Sequence, residues 1–237
     1  MSPGPAPTGL PLVDGLADHV APSIEDYVAA ASEYVRRARS LLDSQKKAAQ
    51  IRLSAALGRA LLAELRAQLP SIGPGAIAAE RDVSGALRTA KVDVSEMHHL
   101  DGLRLAIELK PVNLAVGRAI WNRFGDIRMT AVNLHLKFPF AVVGGVLTFP
   151  TYEEVEKGGA AVRKPTTHLV ERAITRLERA GGRRTEGDAP HLLEGVGILV
   201  YDPDDARIVE GLPPMSSPVR WQNFVSSLAT AYAARFE

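Results

Sequence analysis

Glu108-Leu109-Lys110 sets a carboxylate and an ammonium two residues apart, at the end of a run in which apolar and other side chains alternate. Leu103, Leu105, Ile107 and Leu109 form one set; Arg104, Ala106, Glu108 and Lys110 form the other. Side chains of a strand point to opposite faces with period two, so the first set faces a core and the second faces something else. A carboxylate and a lysine at the inner end of a buried strand are costly unless they are paired or used. In use, the carboxylate can hold a divalent metal, and the lysine can steady a nucleophilic water or a developing negative charge.

A second acid belongs with them. Lys91 to Met97 reads as another strand, and Asp101-Gly102 is a strong two-residue hairpin turn. With 101 and 102 as the loop, Asp93 falls opposite Lys110 and Ser95 opposite Glu108, all on the face away from Leu105, Ile107 and Leu109. Asp93 and Glu108 become diagonal neighbours whose carboxylates can reach one cation. A slip of one residue would turn Asp93 to the wrong face. Glu96 falls on the apolar face opposite Ile107, which points to a bulge or an early end of pairing there.

Asp93 followed by Glu108-x-Lys110 on a hairpin, with a helix after it, resembles the PD-(D/E)xK nuclease superfamily. The single-domain size is most like a type II restriction endonuclease. The resemblance covers residues 80 to 150, and the rest only by element order; Val92 stands where the pattern often has proline. It implies that Asp93 and Glu108 hold Mg²⁺, with Mn²⁺ able to substitute, and that Lys110 assists the attacking water. Many members add a glutamate from the helix before the hairpin, and Glu80 is the nearest candidate for that additional acid. The plain alternative is an exposed hairpin on which all three charges are merely solvated.

The chain has 237 residues, enough for one α/β domain with an accessory element. It has no cysteine, which excludes disulfides and thiolate metal sites. No apolar run suits a transmembrane helix, and the start Met1-Ser2-Pro3-Gly4-Pro5 lacks the pattern of a signal peptide, so a cytoplasmic protein with no membrane partner is expected. The net charge of +1 makes any nucleic-acid surface a local patch.

The elements that must position the site follow from the pattern. Residues 1 to 22, rich in Pro, Gly and small side chains, read as a flexible N-terminal arm ahead of a single nuclease domain at 23–237. Ser23 with Asp26 opens a helix running to about Asp43. A second helix from about 45 to 69, with Ile51, Ala55, Leu57, Leu61, Leu62 and Leu65 as its apolar set, stops at Pro70 and completes a helical hairpin over 23–70 that covers the sheet. A catalytic α/β core occupies 80–237. After the hairpin, Pro111 and Asn113 end the strand and cap a helix from about 114, interrupted at Gly125 and Asp126 and continuing to about 136. Phe138–Phe149 and Leu192–Tyr201 are buried strands. Pro165 and Thr166 open a helix to about Ala180, and Ser217 begins the last. The order agrees with an αβββαβ restriction-endonuclease-like core: a mixed central β-sheet flanked by helices.

Other constellations carry less. Arg172, Arg176 and Arg179 make one stripe of the helix at 167 to 180, either a phosphate-contacting edge or a solvated face interleaved with Glu171 and Glu178. Arg118, Asn122 and Arg123 lie on the helix after Lys110, either where a DNA backbone would pass or, for each arginine taken singly, as ordinary surface charge. His98 and His99 belong to a loop, and Asp202, Asp204 and Asp205 to a turn. Gly144-Gly145 is no phosphate loop, because no Gly-Lys-Ser/Thr follows.

The expectation is a Mg²⁺-dependent endonuclease acting on double-stranded DNA, a sequence-specific type II restriction enzyme working as a homodimer so that both strands are reached. The rivals are a repair, recombination or other defence nuclease of the same fold, and a non-catalytic DNA-binding protein.

Overall fold

The computed structural model describes residues 7–237. In chain order the helices are α1 (Pro11–Gly15), α2 (Ile24–Arg37), α3 (Asp43–Gln68), α4 (Val116–His135), α5 (Thr167–Glu178) and α6 (Trp221–Phe236). The strands are β1 (Ala76–Ile77), β2 (Arg81–Ser84), β3 (Thr89–Val92), β4 (Val94–His98), β5 (Gly102–Pro111), β6 (Val142–Pro150), β7 (Tyr152–Lys157), β8 (Ala160–Pro165), β9 (Gly195–Asp202) and β10 (Arg207–Ile208). The central sheet runs β1-β4-β5-β6-β9-β10. Its middle pairs, β5 with β6 and β6 with β9, are parallel; the outer pairs are antiparallel. The protein is therefore α/β with a mixed sheet flanked by helices. Among the described residues no helix is long and apolar enough to cross a membrane.

Two cores cover the two faces of the sheet. Val94, Leu105, Ile107, Leu109, Val146 and Leu199 pack with α1, α2, α3 and α6. Ala106, Val143, Leu147, Ile198 and Val200 pack with α4 and α5. The nearly unbroken apolar run of β6 follows from its being buried on both faces. The 23–70 helices cover the sheet as their patterning predicts, with the Ser23–Asp26 capping box in place at the start of α2.

Several local readings are corrected. The segment read as a flexible arm carries α1 over its described part, with Leu10, Val13 and Leu16 buried against α2 and α3; residues 1–6 lie outside the described residues. Three apolar side chains at helical spacing outweigh the Pro and Gly around them. Ile51, assigned to the apolar set of α3, is 60% exposed. Gly125 and Asp126 do not interrupt α4, which is continuous, since one glycine costs a helix only about 1 kcal/mol. Asn113 caps nothing: the N-cap is Ala115 in the left-handed region, and Asn113 is buried as the acceptor of the Tyr201 hydroxyl at 2.8 Å.

Two glycines set how closely the layers approach. A Cβ at Gly145, the register partner of Glu108, would lie 2.3 Å from Ile127 of α4. A Cβ at Gly58 of α3 would lie 3.2 Å from Leu109 and 3.4 Å from Val94. Both close approaches occur beside the residues singled out for chemistry.

Candidate active site

The β4–β5 hairpin forms, in a register two residues from the expected one. Val94 pairs with Ile107 and Ser95 with Ala106, so Ser95 does not face Glu108. The pairing shifts between Glu96 and Met97, leaving Arg104 as an extra residue in β5. This is the irregularity that Glu96 signalled, and it sends Leu103 to the α4 face, opposite Leu105. A displacement of two residues preserves the face of every side chain beyond the bulge, so the three charged residues still converge.

Asp93 sits at the bend between β3 and β4, and its Oδ2 accepts the Leu109 N–H at 2.7 Å. Glu108 is buried. Its Oε1 accepts the Thr130 hydroxyl at 2.8 Å, and its Oε2 accepts a short hydrogen bond from the Lys110 ammonium. Burial is the main force holding the Asp93 carboxyl above its usual range. The Glu108 and Glu80 carboxylates add to it, while the Leu109 N–H and the Lys110 charge oppose it. Asp93, Glu108, Lys110 and Glu80 therefore share one electrostatic environment.

Asp93, Lys110 and Glu80 line a cleft of about 730 Å³ between the outward face of α3 and the start of α4. Glu80 is on no helix. It lies between β1 and β2, exposed and paired with Lys91 at 2.6 Å. Of the basic residues proposed for DNA contact, Arg123 lines the cleft, where it also pairs with Asp126 at 3.2 Å. Arg118 and Asn122 are on the exposed side of α4. Arg172 and Arg176 of α5 stack on the Trp121 ring, 5.7 and 4.1 Å from its centroid, and Arg179 is the exposed C-cap of α5.

Three positioning residues escaped the sequence reading. Thr130 is a hydroxyl on the apolar face of α4, between Ile127 and Leu134, and that mismatch was the available signal. Asn133, three residues on, accepts the Leu87 and Arg88 N–H groups at 2.8 and 3.0 Å and donates to the Arg88 carbonyl at 2.9 Å. Gly85 faces it with no room for a Cβ. The β2–β3 hairpin, whose second strand leads into Asp93, is thereby fastened to the same face of α4 that fixes Glu108. Arg59, also on the cleft, had no local signal beyond its spacing from Ile51 and Ala55.

The donor set suits a hard cation that keeps most of its water. Asp93 and Glu108 offer two carboxylates, and Mg²⁺ is commonly bound by one or two carboxylates with water and phosphate oxygens completing the octahedron. Among the described residues no three His, Cys, Asp or Glu side chains form a ready-made metal cage. In the structure the Lys110 ammonium supplies the positive charge against Glu108.

The histidines lie elsewhere. His98 pairs with Asp101 at 3.0 Å in the turn. His135 is buried against Glu194, whose carboxylate also receives Arg183, Arg235 and the Val143 N–H.

Comparison of the chain with protein-family models, with curated proteins and with solved structures finds no match.

Proposed function

We propose that the protein is a metal-dependent endonuclease that hydrolyses DNA phosphodiester bonds, in the manner of a type II restriction enzyme. The observation that carries this reading is the meeting of Asp93 and Lys110 at one cleft, with Glu108 buried against Lys110 behind its wall and both acids held by neutral donors from the fold. The element order supports it. Helix α3, the antiparallel strands β1, β4 and β5, helix α4 and the parallel strand β6 follow the αβββαβ plan that the motif suggests, with the β2–β3 hairpin inserted.

A divalent cation on Asp93 and Glu108 would supply Lewis acidity and a coordinated water of lowered pKa. The protein's own part is positioning. The Leu109 N–H fixes one Asp93 oxygen, leaving the other for a ligand, and Thr130 fixes Glu108 from behind. Lys110, which pairs with Glu108 in the structure, would orient the attacking water and stabilise charge on the phosphoryl oxygens. Cutting both strands of a duplex calls for two such sites, for which a two-fold homodimer is the economical arrangement.

Incubating the purified protein with plasmid DNA in Mg²⁺ and mapping the ends tests the reading. Discrete fragments support a sequence-specific enzyme. Smearing or structure-dependent nicking moves it to a repair or other defence nuclease. DNA binding without cleavage in either Mg²⁺ or Mn²⁺ would leave a non-catalytic DNA-binding protein and overturn the nuclease reading.

A further inference from the structure

The cleft has a second cationic feature that the metal acids and Lys110 do not use. One face of α3 looks into it along its length, carrying Lys47, Gln50, Ser54, Gly58 and Arg59. These positions recur at helical spacing and flank the stripe of Leu53, Leu57 and Leu61 that packs in the core, with Gly58 buried at the boundary and Arg59 turned furthest from it. Arg59 is half-buried, and among the described residues neither it nor Lys47 pairs with a carboxylate. One Arg59 terminal nitrogen donates to the Leu16 carbonyl at 2.6 Å, while its Nε is buried without an acceptor. Desolvation pulls the guanidinium below its usual range. A half-buried cation with no counter-charge, beside an open cleft, is a standing electrostatic cost that an anion entering the cleft would relieve.

Position adds the second argument. Gly58 is in contact distance of Leu109, the residue whose N–H holds Asp93 and which lies between Glu108 and Lys110. Arg59 is therefore next to the metal acids, whereas Lys47 is twelve residues earlier, about 18 Å away along the helix. Ser54, Ala55 and Gly58 keep the wall low near Arg59, and the exposed Ile51 stands between them and Lys47.

We infer that the α3 wall is a phosphate-binding track for the DNA strand being cut, with Arg59 holding a phosphate adjacent to the scissile one and Lys47 a more distant phosphate of the same strand. This rests on the nuclease reading and specifies how its substrate is held. Guanidinium groups match phosphate geometry, and Lys47, as a point charge, tolerates a mobile backbone.

The test is equilibrium binding of a mixed-sequence duplex, and of one of its strands alone, in EDTA across about 50 to 200 mM salt. Wild type, Arg59→Gln, Arg59→Lys and Lys47→Gln are compared. Each Gln variant should lower the log–log salt slope by roughly 0.9, the value for one duplex phosphate contact. Affinity should fall several-fold and equally for unrelated sequences, with Arg59→Lys intermediate. Lys47 is exposed and its replacement should leave folding untouched, so it keeps the test valid if Arg59→Gln loosens the contact with Leu16. Unchanged slopes in both Gln variants overturn the track while plasmid cleavage by wild type persists. If wild type neither binds nor cuts DNA, the nuclease reading falls and the track with it.

Discussion

Thr130 of α4 and Glu108 of β5 share a buried hydrogen bond of 2.8 Å that joins a helix on one layer to an acid on the next. Among the described residues no other neutral donor reaches Glu108, and its second oxygen is taken by Lys110. Thr130→Val keeps the shape and deletes the donor. Stability should fall by about 1–3 kcal/mol, the usual cost of an unmet buried polar group. If Glu108 holds the proposed Mg²⁺, its affinity should drop roughly tenfold, the usual loss when a residue orienting a metal ligand is removed. Chemical denaturation and metal titration read the two effects separately, and an unchanged Mg²⁺ affinity would make Thr130 a packing residue.

Asp93 has a signed pH dependence. Its carboxyl is raised chiefly by burial, so the folded state holds the proton more tightly than the unfolded chain. Stability from this source is complete below the ordinary aspartate value of 3.8 and is lost as pH rises through the higher folded value. Asp93→Asn carries no charge at any pH. Without divalent metal it should melt above wild type at neutral pH, with the gain vanishing in acid, and it should not cleave DNA. Melting below wild type at neutral pH would mean that the Leu109 N–H needs a full carboxylate.

Lys110→Met removes the ammonium from a carboxylate whose side chain is only 6% exposed. The metal-free protein should lose about 2 kcal/mol, since one partner of a largely buried pair is left alone. On the proposed metal reading a cation at Glu108 would replace that charge, so Mg²⁺ should raise the melting temperature of this variant more than that of wild type. Cleavage should still fall by several orders of magnitude. If Mg²⁺ no longer binds, Lys110 holds the acids in place and does nothing more.

Arg172 and Arg176 lie over Trp121, and this stack gives an optical handle on the α5 stripe. Replacing both with alanine should shift the Trp121 emission to the red. If they also contact phosphates, the salt slope of DNA binding should fall by roughly 0.9 per lost contact, with sequence preference unchanged. The same measurement applies to Arg118 and Arg123 of α4 and to Arg179. A red shift with an unchanged slope would return the stripe to an ordinary solvated face.

The charged triad and the helices that frame it were legible because period-two and helical patterning survive in strongly apolar segments. The β5 alternation from Leu105 to Lys110 and the capping box of α2 form where the sequence places them, while the buried run of β6 starts at Val142 rather than Phe138. The register was not legible, because Asp101-Gly102 identifies a turn but not the extra residue, Arg104, that shifts everything beyond it. The β2–β3 and β7–β8 hairpins were missed for a different reason. They are short: β2–β3 buries only Val83, Ala90 and Val92, too few residues to set a period, and β8 is exposed throughout. Thr130, Asn133 and Arg59 act through residues distant in sequence, and only the fold brings those partners near.

The missing side chain at Gly145 turns the thickness of a layer into a property of the site. With only a hydrogen there, Ile127 descends onto β6 and the next turn of α4 brings Thr130 within reach of Glu108 and Asn133 within reach of the 85–88 turn. Gly145 touches no acid and carries no charge, yet it works as a shim whose thickness is zero. Any residue larger than glycine would lift α4 and carry both fastenings with it, so the spacing between Asp93 and Glu108 is gauged by a neighbouring strand that bears neither.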